Sequence, residues 1–213
     1  MKMNKEQNKA FKFYHMIVTS LFFVIIFAAF GSCDSNDPVD PNEPNEPADT
    51  TTVVDTTTVL NAPIIQTPTP VIHLADNLDE PDQLGWCIDT RGNGFNENLH
   101  AHSCKASGGD VQFTYDEATR QLCSAEFGGF CIEMSGGPVE GMSLILVTSD
   151  ANSSDQKFIY NEDSGEFRPE ADTNLCLAVG STSSAAGIYV SRTLTLERSS
   201  EIDEGRKKWV ILE

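Results

Sequence analysis

A repeat of about 45 residues constrains this chain more than any other feature. Phe113-Thr-Tyr-Asp-Glu-Ala-Thr-Arg-Gln-Leu122 recurs as Phe158-Ile-Tyr-Asn-Glu-Asp-Ser-Gly-Glu-Phe167, with Tyr160 standing 45 residues after Tyr115. Cys131-Ile-Glu-Met lies nine residues beyond Leu122, and Cys176-Leu-Ala-Val nine beyond Phe167. An earlier Trp86-Cys87-Ile-Asp precedes Cys131 by 44 residues. Lys208-Trp209-Val-Ile-Leu212 closes the chain, with Trp209 in the place of Phe113 and Phe158. The interval from Phe158 to Trp209 is 51 residues, which predicts a small insertion in the third copy, placed within residues 197–206. Short apolar runs broken by Gly, Asn, Asp and Ser, with no long stripe of helical period, predict an all-β domain. Units this short cannot bury a core singly. Three of them around a threefold axis close into a barrel with a hairpin cap, which leaves no sheet edge exposed. Phe113, Phe158 and Trp209 then become equivalent core residues.

The repeats occupy residues 71–213, a comfortable length for one core. Residues 33–70 differ sharply from them, being rich first in Pro, Asn and acids and then in Thr and Pro, with no Lys or Arg between Lys12 and Arg91. Such a segment buries too little apolar surface to offset the entropy of ordering it, so a disordered, extended tether is expected. Before it stand Lys2, Lys5, Lys9 and Lys12, then an apolar run from Met16 to Phe30. At about 15 residues that run is short of the ~20 needed to span a bilayer comfortably. It ends in Phe30-Gly31-Ser32-Cys33, which resembles a bacterial lipobox with Phe30 in place of the usual Leu. The resemblance implies a signal peptide over residues 1–32 and a diacylglycerol anchor on Cys33. The alternatives are an uncleaved anchor helix or ordinary cleavage near Gly31. Lipidation implies the bacterial cell envelope, with the outer membrane or cell surface favoured over the inner membrane.

Charge narrows the partners. The chain carries a formal −18. Without the first 32 residues, which hold four Lys and one Glu, 10 basic and 31 acidic residues remain, a net of −21. Such a field repels phosphate backbones and anionic membrane faces, so nucleic acid is not an expected partner. The membrane is reached through the lipid alone.

The threefold phasing of these motifs resembles ricin-type β-trefoil lectins, whose repeats open with Cys-Leu-Asp-Val and close with Gln-x-Trp. The openings here are Cys87-Ile-Asp-Thr, Cys131-Ile-Glu-Met and Cys176-Leu-Ala-Val; the closings are Val111-Gln-Phe113, Gln156-Lys-Phe158 and Lys207-Lys-Trp209. The resemblance implies a β-trefoil of three repeats of about 45 residues, and a sugar site of the galactose type built from few groups. An Asp accepts hydrogen bonds from two hydroxyls, a ring covers the apolar sugar face, and a polar residue near the closing aromatic adds a contact. In repeat one these roles fall to Asp89, His102 and Asp110. Repeat two offers weaker candidates, Glu133, Asp155 and Gln156, with Val147 where a ring is needed. Repeat three has Ala178 and Glu197 and no sugar site is expected there.

Six cysteines in an exported chain imply an oxidising compartment, and Cys33 leaves five for the domain, so one is free. The resemblance implies a bridge between Cys87 and Cys104. Ser149 and Ser199 match Cys104 in the later repeats, so Cys131 and Cys176 lack that partner. Cys123 and Cys131 flank Gly128-Gly129 and can bridge a hairpin, which leaves Cys176 free. His100-x-His102-x-Cys104 has metal-ligand spacing on one strand face, but the disulfide competes for Cys104, so no metal or other cofactor is expected. No nucleophile elbow, zinc helix or phosphate loop is present, and Asp89 and Glu133 fall in separate lobes, too far apart for a glycosidase pair. Three functions remain: a glycan-binding lipoprotein, a lipid-anchored protein-interaction or structural module without sugar specificity, and an accessory subunit of a polysaccharide enzyme.

Overall fold

The structure, a computed structural model, describes residues 59–90 and 98–213. The expected signal segment, Cys33 and the expected tether as far as residue 58 lie outside the described residues. Thirteen short strands and three 3-10 turns make up the rest, with no α-helix among the described residues. The strands are β1 (Val71–Leu74), β2 (Trp86–Asp89), β3 (His100–Ser103), β4 (Phe113–Asp116), β5 (Gln121–Ser124), β6 (Phe130–Glu133) and β7 (Ile145–Thr148). They continue with β8 (Phe158–Asn161), β9 (Glu166–Pro169), β10 (Leu175–Val179), β11 (Ser184–Ala186), β12 (Tyr189–Arg198) and β13 (Trp209–Leu212).

The threefold plan is visible in the registers. The β4–β5 pair sets Tyr115 against Leu122, β8–β9 sets Tyr160 against Phe167, and β13–β1 sets Ile211 against Ile72. The second set of arms matches as well: Cys87 faces His102 across β2–β3, Cys131 faces Val147 across β6–β7, and Cys176 faces Glu197 across β10–β12. Lobe one is therefore β13 with β1–β3, lobe two is β4–β7, and lobe three is β8–β10 with β12. Lobe one takes its first strand from the C-terminal end, so pairing of β1 with β13 closes the ring. This is a β-trefoil.

One hydrophobic core fills the axis. Phe113, Phe158 and Trp209 are fully or almost fully buried, as the repeat demands, together with Trp86, Phe167, Leu122 and Ile72. The two buried indoles keep partners for their N–H groups, Trp86 on Asn77 O at 2.8 Å and Trp209 on Leu177 O at 2.9 Å. Adjacent lobes are stitched by equivalent bonds. Tyr115 Oη donates to Phe158 O and Tyr160 Oη to Trp209 O, each at 2.9 Å. The backbone N–H of Phe158 meets Arg120 O at 2.9 Å, and that of Trp209 meets Gly165 O at 2.7 Å. Arg120 and Gly165 occupy the same turn position with positive φ, 57° and 70°. At Gly165 a side chain would also meet Trp209 O at 3.0 Å, so glycine serves both needs there.

Behind each opening cysteine, equivalent positions are filled by three different chemistries. In lobe one Val71, Val111 and the Cys87–Cys104 disulfide form an apolar cluster with Ile65 and Leu212. In lobe two Gln121 Nε2 donates to Gln156 Oε1 at 2.7 Å, and Ser149 Oγ reaches Gln121 at 3.4 Å. In lobe three buried Glu166 accepts from Lys207 and Ser199, both at 3.0 Å, and pairs with Arg168. The scaffold accepts any set that satisfies itself.

Two expectations change. The insertion of lobe three is not centred in residues 197–206: Cys176 to Ser199 spans 23 residues against 18 from Cys131 to Ser149, and the excess forms the β11–β12 hairpin. The end of the tether also belongs to the domain. Ile64 N bonds Gln83 O at 2.7 Å, Asn77 N bonds Asn61 O at 2.6 Å, and Thr67 is buried. The boundary drawn at residue 70 therefore moves to about residue 60, where these contacts begin.

Candidate functional site

Lobe one concentrates polar side chains around a single carboxylate. Asp89 ends β2 opposite His100, the first residue of β3, and alternation along β3 places His102 on the same face. Asp89 Oδ2 lies 3.4 Å from His100 Nε2, 3.7 Å from His102 Nδ1 and 3.0 Å from Lys105 Nζ. The Lys105 ammonium also contacts both oxygens of Asp110 at 2.9 Å. Thr90 N donates to Asp110 O at 3.3 Å, which ties the end of β2 to the segment before β4. The structure thus brings together all three residues expected in repeat one, with Lys105 as the link.

Access differs among them. Asp89 is 1% exposed and His102 5%, whereas the Asp110 side chain is 31% exposed and that of Lys105 18%. Asp89 Oδ1 is buried without a hydrogen-bond partner. Burial alone would raise the Asp89 pKa, but the His100 hydrogen bond and the Lys105 charge outweigh it and hold the carboxyl below its ordinary value. For Lys105 burial disfavours the ammonium, yet Asp110 and Asp89 together raise its pKa above normal. Asp89 and Lys105 are therefore both charged at neutral pH. His102 is shifted down by burial, against an opposing hydrogen bond to Ser103 O at 2.9 Å. A carbonyl can only accept, so Nδ1 carries the proton and Nε2 of the neutral ring is left as an acceptor.

The ring beside His102 comes from another lobe. Tyr189, at the start of β12, meets His102 edge-on with centroids 5.4 Å apart, because β12 pairs with β3 and sets Ser191 against His102. Lys105, His100 and Tyr189 were not assigned to the site from sequence. Lys105 carried one available signal, a rare cation beside Cys104 in a strongly acidic domain. Tyr189 carried none, since its place depends on where the lobe-three hairpin lands.

The weaker candidates are organised differently. Gln156 is 1% exposed and serves as a hub, accepting from Gln121 and from Asp150 N and donating to Glu133 Oε2 and Thr148 O, both at 3.1 Å. Asp155 contributes its carbonyl to Met134 N at 2.9 Å. No ring stands at Val147, and Ala178 in lobe three is fully buried.

Both disulfides are present, Cys87–Cys104 and Cys123–Cys131, and Cys176 is free and buried, with burial pushing its pKa up to about 11. Cys104 is thereby withdrawn from His100 and His102, and no His, Cys, Asp and Glu cluster among the described residues could hold a metal ion.

A threefold β-trefoil is the class defined by this architecture. The chain is similar in fold to the solution structure of the mdaA-1 domain, with a TM-score of 0.50 and 15% identity over 72% of this chain and 98% of that one. It also aligns with an agglutinin from Abrus precatorius at a TM-score of 0.49 and 11% identity, over 70% of this chain and 48% of that one. A β-trefoil lectin of the Vibrio vulnificus hemolysin/cytolysin, with N-acetyl-D-lactosamine bound, aligns at 0.46 and 13% identity, over 68% and 94%. The chain spans about half the length of the agglutinin it matches. No protein-family model matches the sequence, and no curated protein is similar to it.

Proposed function

We propose that this domain binds carbohydrate through lobe one and is held on the bacterial envelope, at the outer membrane or cell surface, by a lipid on Cys33. The observation that carries the reading is the meeting of Asp89 and Asp110 on one ammonium, beside His102 and Tyr189. Each sugar hydroxyl both donates and accepts, so it is best met by a donor and an acceptor side by side. Lys105 and Asp110 supply that pair at the accessible edge. Asp89, behind them, holds the ammonium in place rather than facing the ligand. Tyr189 supplies an aromatic face for the C–H side of a sugar ring. A galactose-type sugar is the proposed ligand, following the resemblance of the repeats, and the activity is binding rather than catalysis.

A glycan array and titration calorimetry on the full chain, beside Lys105→Met and Asp110→Asn, test this. Loss of a hydrogen bond to a charged group costs about 1.5–3 kcal/mol, roughly a ten- to hundredfold weakening. Unchanged affinity in both variants would sink the assignment of the site. One observation favours a second reading, a lipid-anchored protein-interaction module: Asp89 and His102 are buried, so two of the three expected sugar contacts are withdrawn from the surface. A folded full chain that leaves every glycan on the array unbound supports that rival.

A further inference from the structure

The five extra residues of lobe three build a second concavity. Their hairpin carries β12 beyond its own lobe, so that Ser191, Arg192 and Thr193 pair with His102, Ala101 and His100 of β3. Where the hairpin crosses onto lobe one it borders a pocket of about 250 Å³. Among the described residues, neither of the other lobes has such a hairpin.

The lining has an unusual chemistry. Five hydroxyls, from Ser143, Thr182, Ser184, Ser191 and Thr193, and the Asn98 amide face it, and Leu99 and Leu194 supply its apolar part. Among the described residues none of those six polar side chains enters a hydrogen bond. Several hydroxyls elsewhere in the domain are engaged, Ser103 with Glu80 at 2.9 Å, Ser199 with Glu166 at 3.0 Å and Thr195 with Glu197 at 2.7 Å, whereas those of Thr67, Thr90 and Ser164 are buried without a partner. No carboxylate is among the described residues that line the pocket, although the chain carries −18. Arg192, the one permanent cation among the described lining residues, is committed elsewhere, donating to Asp79 and Gly180 O and lying 4.9 Å over the Trp86 ring. The pocket therefore offers neutral groups that donate and accept, next to an apolar patch. It is smaller than the roughly 300–1,000 Å³ typical of drug-sized ligands, so it suits one small ring.

His100 joins this pocket to the site described above, since the same imidazole lines the pocket and bonds Asp89. We propose that the hairpin pocket is a second saccharide subsite, taking the neutral sugar unit next to the one held by Lys105 and Asp110. The ligand is then an oligosaccharide chain read across two units. This rests on the glycan reading of lobe one.

The test compares galactose, lactose and a galactotetraose on the full chain and on the double variant Asn98→Ala/Ser184→Ala, with folding checked by melting temperature. Both side chains are exposed, so their truncation leaves the core intact. Two lost hydrogen bonds, each worth about 0.5–1.5 kcal/mol, predict a fall of roughly five- to a hundredfold in tetraose affinity. Galactose affinity stays within about twofold on the same reasoning, because the lobe-one contacts are untouched. A wild-type chain that binds galactose and tetraose equally, or a double variant that keeps full tetraose affinity, overturns the subsite and leaves the lobe-one site standing. Failure of the wild-type chain to bind any of the three removes both.

Discussion

Asp89 and Glu166 are acids with almost no access to water, and each is kept ionised by groups placed against it. Burial opposes ionisation in both cases and is outweighed by a His100 hydrogen bond and the Lys105 ammonium at Asp89, and by Lys207 and Arg168 at Glu166. His73 and His102 are the complementary case: burial lowers their pKa values from 6.5, so they fold neutral. For a group whose pKa is depressed by folding, the unfolded chain takes up its proton first on acidification, so stability is complete above the unfolded pKa and is lost below it. The histidines begin to cost stability below about pH 6.5 and the two carboxylates only below about pH 4.5. Relief of repulsion among the many acids also waits for that lower range, so the histidines decide the trend between pH 7 and 5. Calorimetric melting should show a midpoint that holds from pH 8 to 7 and falls by a few degrees by pH 5; a rise over that interval contradicts it. At this scale the resemblance of the repeats to ricin-type lectins singled out Asp89, His102 and Asp110, by matching motif positions within one lobe. It could not say that Lys105 would stand between two of them and withdraw Asp89 from the surface, since that depends on how far a four-carbon stem reaches after a disulfide.

Among the elements, the hydroxyl–carbonyl bonds from Tyr115 and Tyr160 are the repeated link between one lobe and the next. The third link is missing because Ile211 stands at that position. Tyr160→Phe keeps the ring, which packs on Phe167 at 4.6 Å, and removes only the bond to Trp209 O. The expected loss is about 0.5–1.5 kcal/mol in urea unfolding, with an unchanged slope. Tyr160→Ala should cost clearly more, and equal losses for the two would assign the tyrosine to packing alone. The all-β class and the three repeated units were legible: short apolar runs, a polar turn after each tyrosine and cysteines at near-equal intervals mark them. The insertion was misplaced because 51 residues between aromatics locates an excess only within an interval. The match of Ser199 to Ser149 already divided that interval and put the excess before Ser199, in a hairpin whose landing place on lobe one is tertiary information.

For the molecule as a whole, the barrel depends on a pair of strands from opposite ends of the domain. β1 and β13 are in register from Val71 against Leu212 to Leu74 against Trp209. Removing residues 207–213 deletes buried Trp209, the acceptor of Tyr160 and the partner of β1 at once. Phe or Trp to Ala in a core already costs about 3–5 kcal/mol, a large share of the roughly 5–15 kcal/mol of a typical domain. The truncated chain should therefore lose its cooperative melt in circular dichroism; a retained sharp transition would show that two lobes suffice. The same pairing means that the domain's last strand ends where its first begins, and the seam between them resembles the two uninterrupted hairpins. A circularly permuted form of residues 60–213, with a short linker joining Glu213 to Leu60 and new ends opened in the turn between β8 and β9, ought then to yield the same barrel.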